Sequence, residues 1–156
     1  MRTEELASLL VEQYKKQGRT LASAESCTGG GIGFVLTSIP GSSAVFSGGV
    51  ISYTNQVKEK LLSVPADILD RFGAVSAETA EYMARGVRLV IGADVGISVT
   101  GLAGPDSDGS GKPVGLVYVG ASDKEKTVVE EYCFSGDRAS VRDQAIQAAV
   151  RLAMQM

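Results

Sequence analysis

Residues 76–101 read SAETAEYMARGVRLVIGADVGISVTG, and this stretch decides the class of fold. Its first part has apolar residues at the three- and four-residue spacing of an amphipathic helix, with Ser76 at the position of an N-cap. Its last part, from Val95 to Thr100, alternates large apolar residues with smaller or polar ones, which is typical of a strand with one smaller, more polar face. A helix that leads into a strand favours a layered α/β domain.

The N-terminal half continues this alternation of helices and strands. Residues 3–17 predict an amphipathic helix that Gly18 ends, and residues 20–24 predict a short strand. A helical stretch then runs to Ile39, where a Pro-Gly pair breaks it, and residues 49–53 predict a second strand.

Short helices and a hairpin follow. Asn55 is the expected N-cap of a helix over residues 56–62, and Pro65 opens another short helix. Residues 114–121 and 126–134 predict two antiparallel strands joined by a turn.

A last helix is expected from Asp137 onward. The interleaved helices favour parallel strands, whereas the hairpin is antiparallel, so the sheet is expected to be mixed. No repeat, linker or low-complexity segment divides the chain. The predicted fold class is therefore α/β: a single layered α/β/α domain with a mixed sheet over residues 1–156.

The composition is that of an ordinary globular domain. The 156 residues are 44% hydrophobic and 21% charged, and the net charge is −3. This balance provides no basic surface for phosphate backbones, so no nucleic-acid partner is expected. The acidic N-terminus does not resemble a signal peptide, and charged residues interrupt the most apolar stretch, residues 84–103. We therefore expect a cytoplasmic protein without a membrane partner.

Histidine is absent from the chain, and this absence limits the possible chemistry. It excludes Ser-His-Asp triads, Cys-His pairs, His-ligated zinc and imidazole acid–base catalysis. The two cysteines, Cys27 and Cys133, are too few for a disulfide scaffold or a four-cysteine metal site. We expect no metal site and no cofactor.

Three consecutive glycines, Gly29-Gly30-Gly31, stand between a predicted strand and a predicted helix. Backbone N–H groups at such a helix N-terminus can hold an anion. The spacing GGGIG differs from the dinucleotide fingerprint GxGxxG, so dinucleotide binding is not supported. An anion site and a simple tight turn both remain open at this point.

The segment GPDSDGSGKP (104–113) resembles a nucleotide-binding P-loop only superficially. Lys112 is followed by Pro113 instead of Ser or Thr, and a strand rather than a helix comes next. Asp106 and Asp108 partly match a calcium-binding loop, but the closing Glu of that pattern is missing. We interpret the segment as a solvated turn.

Without histidine, a serine with a lysine base is the remaining arrangement for nucleophilic catalysis. A neutral lysine can activate a serine when burial or a nearby cation lowers the pKa of its amine. Lys58 is an attractive base because it follows a predicted strand and has apolar neighbours on a short helix. Cys27 is less favoured, since its thiol would need a lysine or a helix N-terminus to ionise it. The sequence alone does not rank the loop serines, which are Ser26, Ser42, Ser43 and Ser47.

Six blocks, in order along nearly the whole chain, together resemble the CinA C-terminal domain family, the stand-alone bacterial nicotinamide mononucleotide (NMN) deamidases. The resemblance implies the fold already predicted. One segment, Asp106-Ser107-Asp108, departs from the more glycine-rich segment of many relatives, which could change a loop over the site. The blocks are AESCTGG (24–30), PGSSAVFSGGVISYTNQVK (40–58), GAVSAETAEYMARG (73–86), SVTGLAGP (98–105), KPVG (112–115) and SGDR (135–138).

The resemblance implies an amidohydrolase that converts NMN and water to nicotinate mononucleotide and ammonia. The family is described as Ser/Lys hydrolases, which agrees with the absence of histidine. By position in the motifs, Ser43 matches the family's nucleophile and Lys58 its base. Tyr53 and Ser26 match further catalytic positions, where they would orient or shuttle protons around the lysine.

The resemblance also implies residues that bind the substrate. Thr100 matches a family active-site position, and we include Gly101 beside it. An arginine near the last helix belongs to the site; Arg138 and Arg142 both qualify, and we favour Arg138. The turn Thr28-Gly29-Gly30 is the other candidate for the phosphate of NMN.

In the mechanism expected from this resemblance, Lys58 takes the proton of Ser43, an acyl-enzyme forms, and water hydrolyses it. Backbone N–H groups of residues 41–43 would supply part of an oxyanion hole. A non-catalytic nucleotide-binding or regulatory module is the alternative, and a Ser/Lys peptidase is a third possibility. The expected partners are NMN and a second copy of the chain, as a homo-oligomer and preferably a dimer.

Overall fold

Residues 1–156 form five β-strands and six α-helices in the structure, which is a computed structural model. The predicted helices and strands are present, with shifts of a few residues at their ends. The strands are β1 Leu21–Glu25, β2 Phe46–Ile51, β3 Val95–Gly101, β4 Leu116–Ser122 and β5 Thr127–Cys133. The helices are α1 Thr3–Gln17, α2 Gly31–Thr37, α3 Asn55–Leu62, α4 Ala66–Phe72, α5 Ala77–Ile91 and α6 Arg138–Met154, with a 3₁₀ turn at Ser42–Ala44.

The five strands form one mixed sheet in the order β2-β1-β3-β4-β5. β1 is parallel to both β2 and β3, whereas β4 is antiparallel to β3 and β5 is antiparallel to β4. The predicted hairpin therefore forms one side of the sheet, and the strands that helices connect form the other. The expectation of a mixed sheet in an α/β domain is confirmed.

Helices cover both faces of the sheet and make three layers. α1, α2 and α6 pack on one face around a core of 25 buried residues, which includes Leu10, Ile97 and Val141. α3, α4 and α5 pack on the other face around a smaller core of eight buried residues, which includes Leu62 and Met83. None of the helices has both the length and the apolar composition needed to cross a lipid bilayer.

The small face of β3 explains how closely α5 approaches the sheet. The Ser98 hydroxyl donates a hydrogen bond to the carbonyl of Ala80 at 2.7 Å. A Cβ atom at Gly96 would lie only 2.2 Å from the carbonyl oxygen of Ala84, so no larger residue fits there without moving the helix. In residues 95–100, the small or polar residues therefore face α5, and the large apolar residues face the core on the other side of the sheet.

Two of the shifted boundaries have a clear physical cause. Thr54, and not Asn55, is the N-cap of α3, because its Oγ1 accepts a hydrogen bond from the amide of Val57 at 3.3 Å. β2 begins earlier than predicted because its parallel pairing starts where Phe46 stands opposite Leu21. The first error is a shift of one residue within a local motif, whereas the second comes from strand pairing that a local pattern does not contain.

The carboxyl ends of β1, β2 and β3 meet at one edge of the sheet, since these strands are parallel. Glu25, the last residue of β1, pairs with Ile51 of β2 and with Val99 of β3. The loops that follow the three strands therefore converge at this edge. Open α/β sheets bind their ligands at such an edge, outside the carboxyl ends of the strands.

Candidate active site

A cavity of about 250 Å³ lies at the carboxyl ends of the parallel strands. Its wall is formed by residues from the loops after β1, β2 and β3 and from the start of α6. The first and the last of these residues, Ser26 and Arg138, are more than a hundred positions apart in the chain. Several side chains predicted from the sequence lie in its wall. They are Ser26, Tyr53, Lys58, Thr100 and Arg138, and the backbone of the predicted Gly101 lies beside them.

Lys58 is the buried cation of this cavity. It lies in the first half of α3, and only 1% of its surface is exposed. Its Nζ donates hydrogen bonds to the carbonyl of Ser52 at 2.7 Å and to the hydroxyl of Ser26 at 3.1 Å, with a longer contact of 3.5 Å to the carbonyl of Tyr53. No carboxylate pairs with it. All its partners are neutral oxygens.

Burial lowers the pKa of the Lys58 amine from its usual 10.5 to about 8, because the charged form loses its hydration and gains no ion pair. The nearby Cys27 acts weakly in the opposite direction. An amine with this pKa is neutral in a useful fraction of molecules near neutral pH, so Lys58 can accept a proton.

Ser26 is the hydroxyl that the fold places beside this amine. Its amide donates to the carbonyl of Val99 at 3.0 Å, which fixes the first residue after β1 against β3. Its side chain is nearly buried and lines the cavity. A serine oxygen within hydrogen-bond distance of a lysine with a lowered pKa is the geometry of a nucleophile with its base.

The structure does not bring Ser43 to Lys58. Ser43 is exposed in the 3₁₀ turn that precedes β2, whereas Lys58 follows the other end of that strand. The length of the strand, roughly 20 Å at about 3.3 Å per residue, separates the two within one chain. The oxyanion hole expected at residues 41–43 is absent from this cavity for the same reason.

The turn Thr28-Gly29-Gly30 does not line the cavity, and its anion site is filled by the protein itself. The buried carboxylate of Glu25 accepts hydrogen bonds from the amides of Ile32 and Gly33, at 2.8 and 3.1 Å, and from the hydroxyl of Thr28 at 2.8 Å. The donors at the start of α2 are therefore already used. This arrangement favours the tight turn over the anion site as the interpretation of these glycines.

The two candidate arginines have different places. Arg138 lines the cavity; its guanidinium donates to the carbonyl of Gly104 at 2.7 Å and to the hydroxyl of Tyr53 at 3.4 Å. Arg142 donates instead to the carbonyls of Cys27 and Thr28, at 3.0 and 3.1 Å, and so supports the turn after β1 from outside the cavity. The preference for Arg138 as a ligand-binding cation agrees with this placement.

Thr100 and Gly101 form the part of the wall that β3 contributes. The hydroxyl of Thr100 donates to the carbonyl of Ala74 at 2.7 Å, so the threonine holds the loop before α5 in place. A Cβ atom at Gly101 would lie 2.6 Å from a side-chain carbon of Val117, and only glycine leaves β4 this close.

Other parts of the wall were not predicted as site residues. Asp106, Ser107 and Asp108 line the cavity, although the sequence favoured a simple solvated turn there. In the sequence, one feature pointed to a role of this segment at the site: it departs from the glycine-rich pattern of many relatives. Cys27 also lines the cavity, but burial raises the pKa of its thiol to about 11, so the thiol remains protonated at neutral pH.

Comparisons with known proteins agree with this fold. The sequence model of the CinA C-terminal domain matches residues 3–156. A CinA-like protein of Synechococcus sp. (strain CC9311) is 56% identical over 116 residues, which cover 74% of this chain and 27% of that protein. The chain spans about a third of the length of the curated relatives it matches.

Solved structures give the same assignment. A competence/damage inducible protein, CihA, from Agrobacterium tumefaciens superimposes with a TM-score of 0.94 at 36% identity, over 99% of this chain and 96% of the other. A competence-damaged protein (CinA) superfamily protein from Klebsiella pneumoniae gives 0.96 at 29% identity, over 99% and 97% of the two chains. The family match over nearly all residues and these superpositions show that the chain belongs to the CinA C-terminal domain family.

Proposed function

We propose that this domain hydrolyses the carboxamide of NMN to nicotinate mononucleotide and ammonia, with Ser26 as nucleophile and Lys58 as base. The observation that carries the proposal is the 3.1 Å hydrogen bond between the Lys58 amine and the Ser26 hydroxyl inside the cavity. The absence of histidine makes a serine with a neutral lysine the arrangement best suited to acyl transfer in this chain.

The first half of the reaction forms an acyl-enzyme. Neutral Lys58 removes the proton from the Ser26 hydroxyl as its oxygen attacks the carboxamide carbon. The resulting ammonium group of Lys58 then gives this proton to the departing nitrogen, the C–N bond breaks, and ammonia leaves. In the second half, water gives a proton to Lys58 as its oxygen attacks the ester, and the lysine returns that proton to Ser26.

The oxyanion of each tetrahedral intermediate needs a donor near Ser26. The amide of Cys27, which follows the nucleophile and lies in the cavity wall, donates to no backbone carbonyl. A backbone N–H directly after the nucleophile is a common oxyanion donor, and removal of one such donor typically costs about 3 kcal/mol in the barrier. We assign this role to Cys27 in place of residues 41–43.

Another charged group of the wall suits the phosphate of NMN. The guanidinium of Arg138 can bind the phosphate in bidentate fashion, and Tyr53 beside it limits the movement of the arginine. Thr100 keeps the opposite loop in place. The positive pyridinium ring makes the carboxamide carbon more electrophilic and so favours attack by serine.

The direct test is ammonia release from NMN by the purified protein and by the variants Ser26→Ala, Lys58→Ala and Ser43→Ala, with folding checked by circular dichroism. We expect the first two to lose activity by about a thousandfold or more and Ser43→Ala to keep most of it. Full activity of Ser26→Ala would refute this assignment. NMN binding without ammonia release from the wild type would favour the alternative, a nucleotide-binding or regulatory module.

Within one chain, β2 separates Ser43 from Lys58, so a Ser43 that takes part in the reaction must come from a second copy of the chain. The expected dimer matters to the mechanism for this reason. If Ser43→Ala proves inactive, the Ser43→Ala and Lys58→Ala proteins should be unfolded together and refolded as a mixture. A shared site restores about a quarter of wild-type activity, because half of the dimers are mixed and each has one intact site. No restoration rejects the shared site.

A further inference from the structure

We propose that Glu25 is a positioning residue that holds Ser26 against Lys58, an inference that rests on the proposed function. Glu25 immediately precedes Ser26 and ends β1. The residue is 2% exposed, and no arginine or lysine pairs with its carboxylate. A charge buried in this way costs free energy unless hydrogen bonds compensate for the lost hydration, so the contacts of this carboxylate need an explanation.

Both carboxylate oxygens are fully used by donors. Oε1 accepts from the Thr28 hydroxyl and the Ile32 amide, each at 2.8 Å. Oε2 accepts from the Ser23 hydroxyl and the Gly33 amide, each at 3.1 Å. These donors lie before, within and after the turn that carries Ser26. One buried carboxylate thus ties β1, the turn and the start of α2 together.

The main chain of Glu25 reaches the lysine side of the site. Its carbonyl accepts from the amide of Ser52 at 2.8 Å and from the Ser52 hydroxyl at 3.4 Å. The carbonyl of Ser52 in turn accepts the 2.7 Å hydrogen bond from the Lys58 amine. The same residue therefore fixes the turn of the nucleophile through its side chain and the carbonyl partner of the base through its backbone.

Only a carboxylate satisfies this set of donors. The two oxygens face one backbone amide each, those of Ile32 and Gly33, and a backbone amide cannot act as an acceptor. In Glu25→Gln, either orientation of the new side chain would point its NH₂ group at one of these amides. The turn must then shift, and a shift of about 1 Å at a reacting group can cost roughly a hundredfold in rate.

The test uses Glu25→Gln and Thr28→Ala, with Thr28→Ser as the conservative control. Thr28→Ala removes one donor while the carboxylate and its other three donors remain; Thr28→Ser keeps the hydroxyl. We expect kcat for NMN to fall about tenfold to a hundredfold in the first two, with KM within about threefold, and Thr28→Ser to restore it. A kcat within about threefold of wild type in folded Glu25→Gln would overturn the proposal.

A serine-directed fluorophosphonate provides a second readout that needs no substrate. Its rate of labelling Ser26, located by peptide mass spectrometry, should fall in Glu25→Gln and Thr28→Ala and recover in Thr28→Ser. If Glu25→Gln does not fold, the comparison of Thr28→Ala with Thr28→Ser decides, and equal labelling rates of these two would reject the positioning role. Normal labelling of the wild type without ammonia release would instead show that the substrate assignment has failed.

Discussion

At the scale of single residues, the main feature is a lysine amine buried among neutral oxygens. Its pKa falls from 10.5 to about 8, which corresponds to about 3 kcal/mol of folding free energy lost at pH 7. Because the folded state binds the proton more weakly, this loss is complete below pH 8 and disappears as the pH rises toward 10.5. A cost of this size at a cavity is typical of functional sites rather than of structural lysines.

The pH dependence of the reaction follows from the same group. The base must be neutral, so kcat/KM for NMN should rise about tenfold per pH unit below the pKa of Lys58, near 8, and level off above it. Stopped assays of ammonia release between pH 6 and 10 measure this profile. A profile that is flat across pH 8 would show that Lys58 does not transfer protons in the reaction.

At the scale of elements, glycines decide how closely the helices pack. Gly86 lies where α5 meets α3, and a Cβ atom there would be 2.0 Å from the carbonyl oxygen of Leu62. Gly33 in α2 has nothing closer than 3.5 Å to such an atom. The two positions have the same residue and the same helical backbone, but only the first has backbone of another element in the way.

We therefore expect opposite effects from the same substitution. Gly86→Ala should lower the free energy of unfolding by about 1–3 kcal/mol, since the overlap with backbone outweighs the gain in helix propensity. Gly33→Ala, the matched control, should raise it by about 0.5 kcal/mol. Urea denaturation followed by circular dichroism measures both. Stabilisation by Gly86→Ala would mean that α3 and α5 separate easily.

At the scale of the whole molecule, the cavity exists only because the chain returns to the same sheet edge several times. Tyr53 and Arg138 are 85 positions apart, yet their side chains meet at 3.4 Å. The loop at residues 106–108, which follows β3, lines the same cavity. Arg138 lines this cavity and forms no ion pair with a carboxylate, so its guanidinium is available to an anionic ligand.

This assignment predicts a selective binding defect. Arg138→Ala should raise KM for NMN about tenfold to a hundredfold with a smaller change in kcat, because a charged hydrogen-bond pair to phosphate is worth about 1.5–3 kcal/mol. Nicotinamide riboside, which lacks the phosphate, serves as the matched substrate, and its KM should not change. An equal rise for both substrates would remove Arg138 from phosphate binding.

The sequence by itself determined the class of chemistry and most of the local structure. The absence of histidine limited nucleophilic catalysis to groups such as serine and lysine, and residues 76–101 predicted the helix and strand at the centre of the domain. Gly18, Ser76 and Asp137 predicted three helix ends correctly, since each acts on backbone groups within a few residues of itself. Such information is local and is therefore readable from a pattern.

Only the tertiary structure decided which serine faces Lys58 and what occupies the turn after β1. Ser26 and Ser43 are both loop serines near a glycine, but parallel pairing of β1 with β2 places them at opposite edges of the sheet. The glycine turn looks like an anion site until the carboxylate of Glu25 is seen on its amides. Both outcomes depend on which strand ends meet in space, and the spacing of residues along the chain does not contain that information.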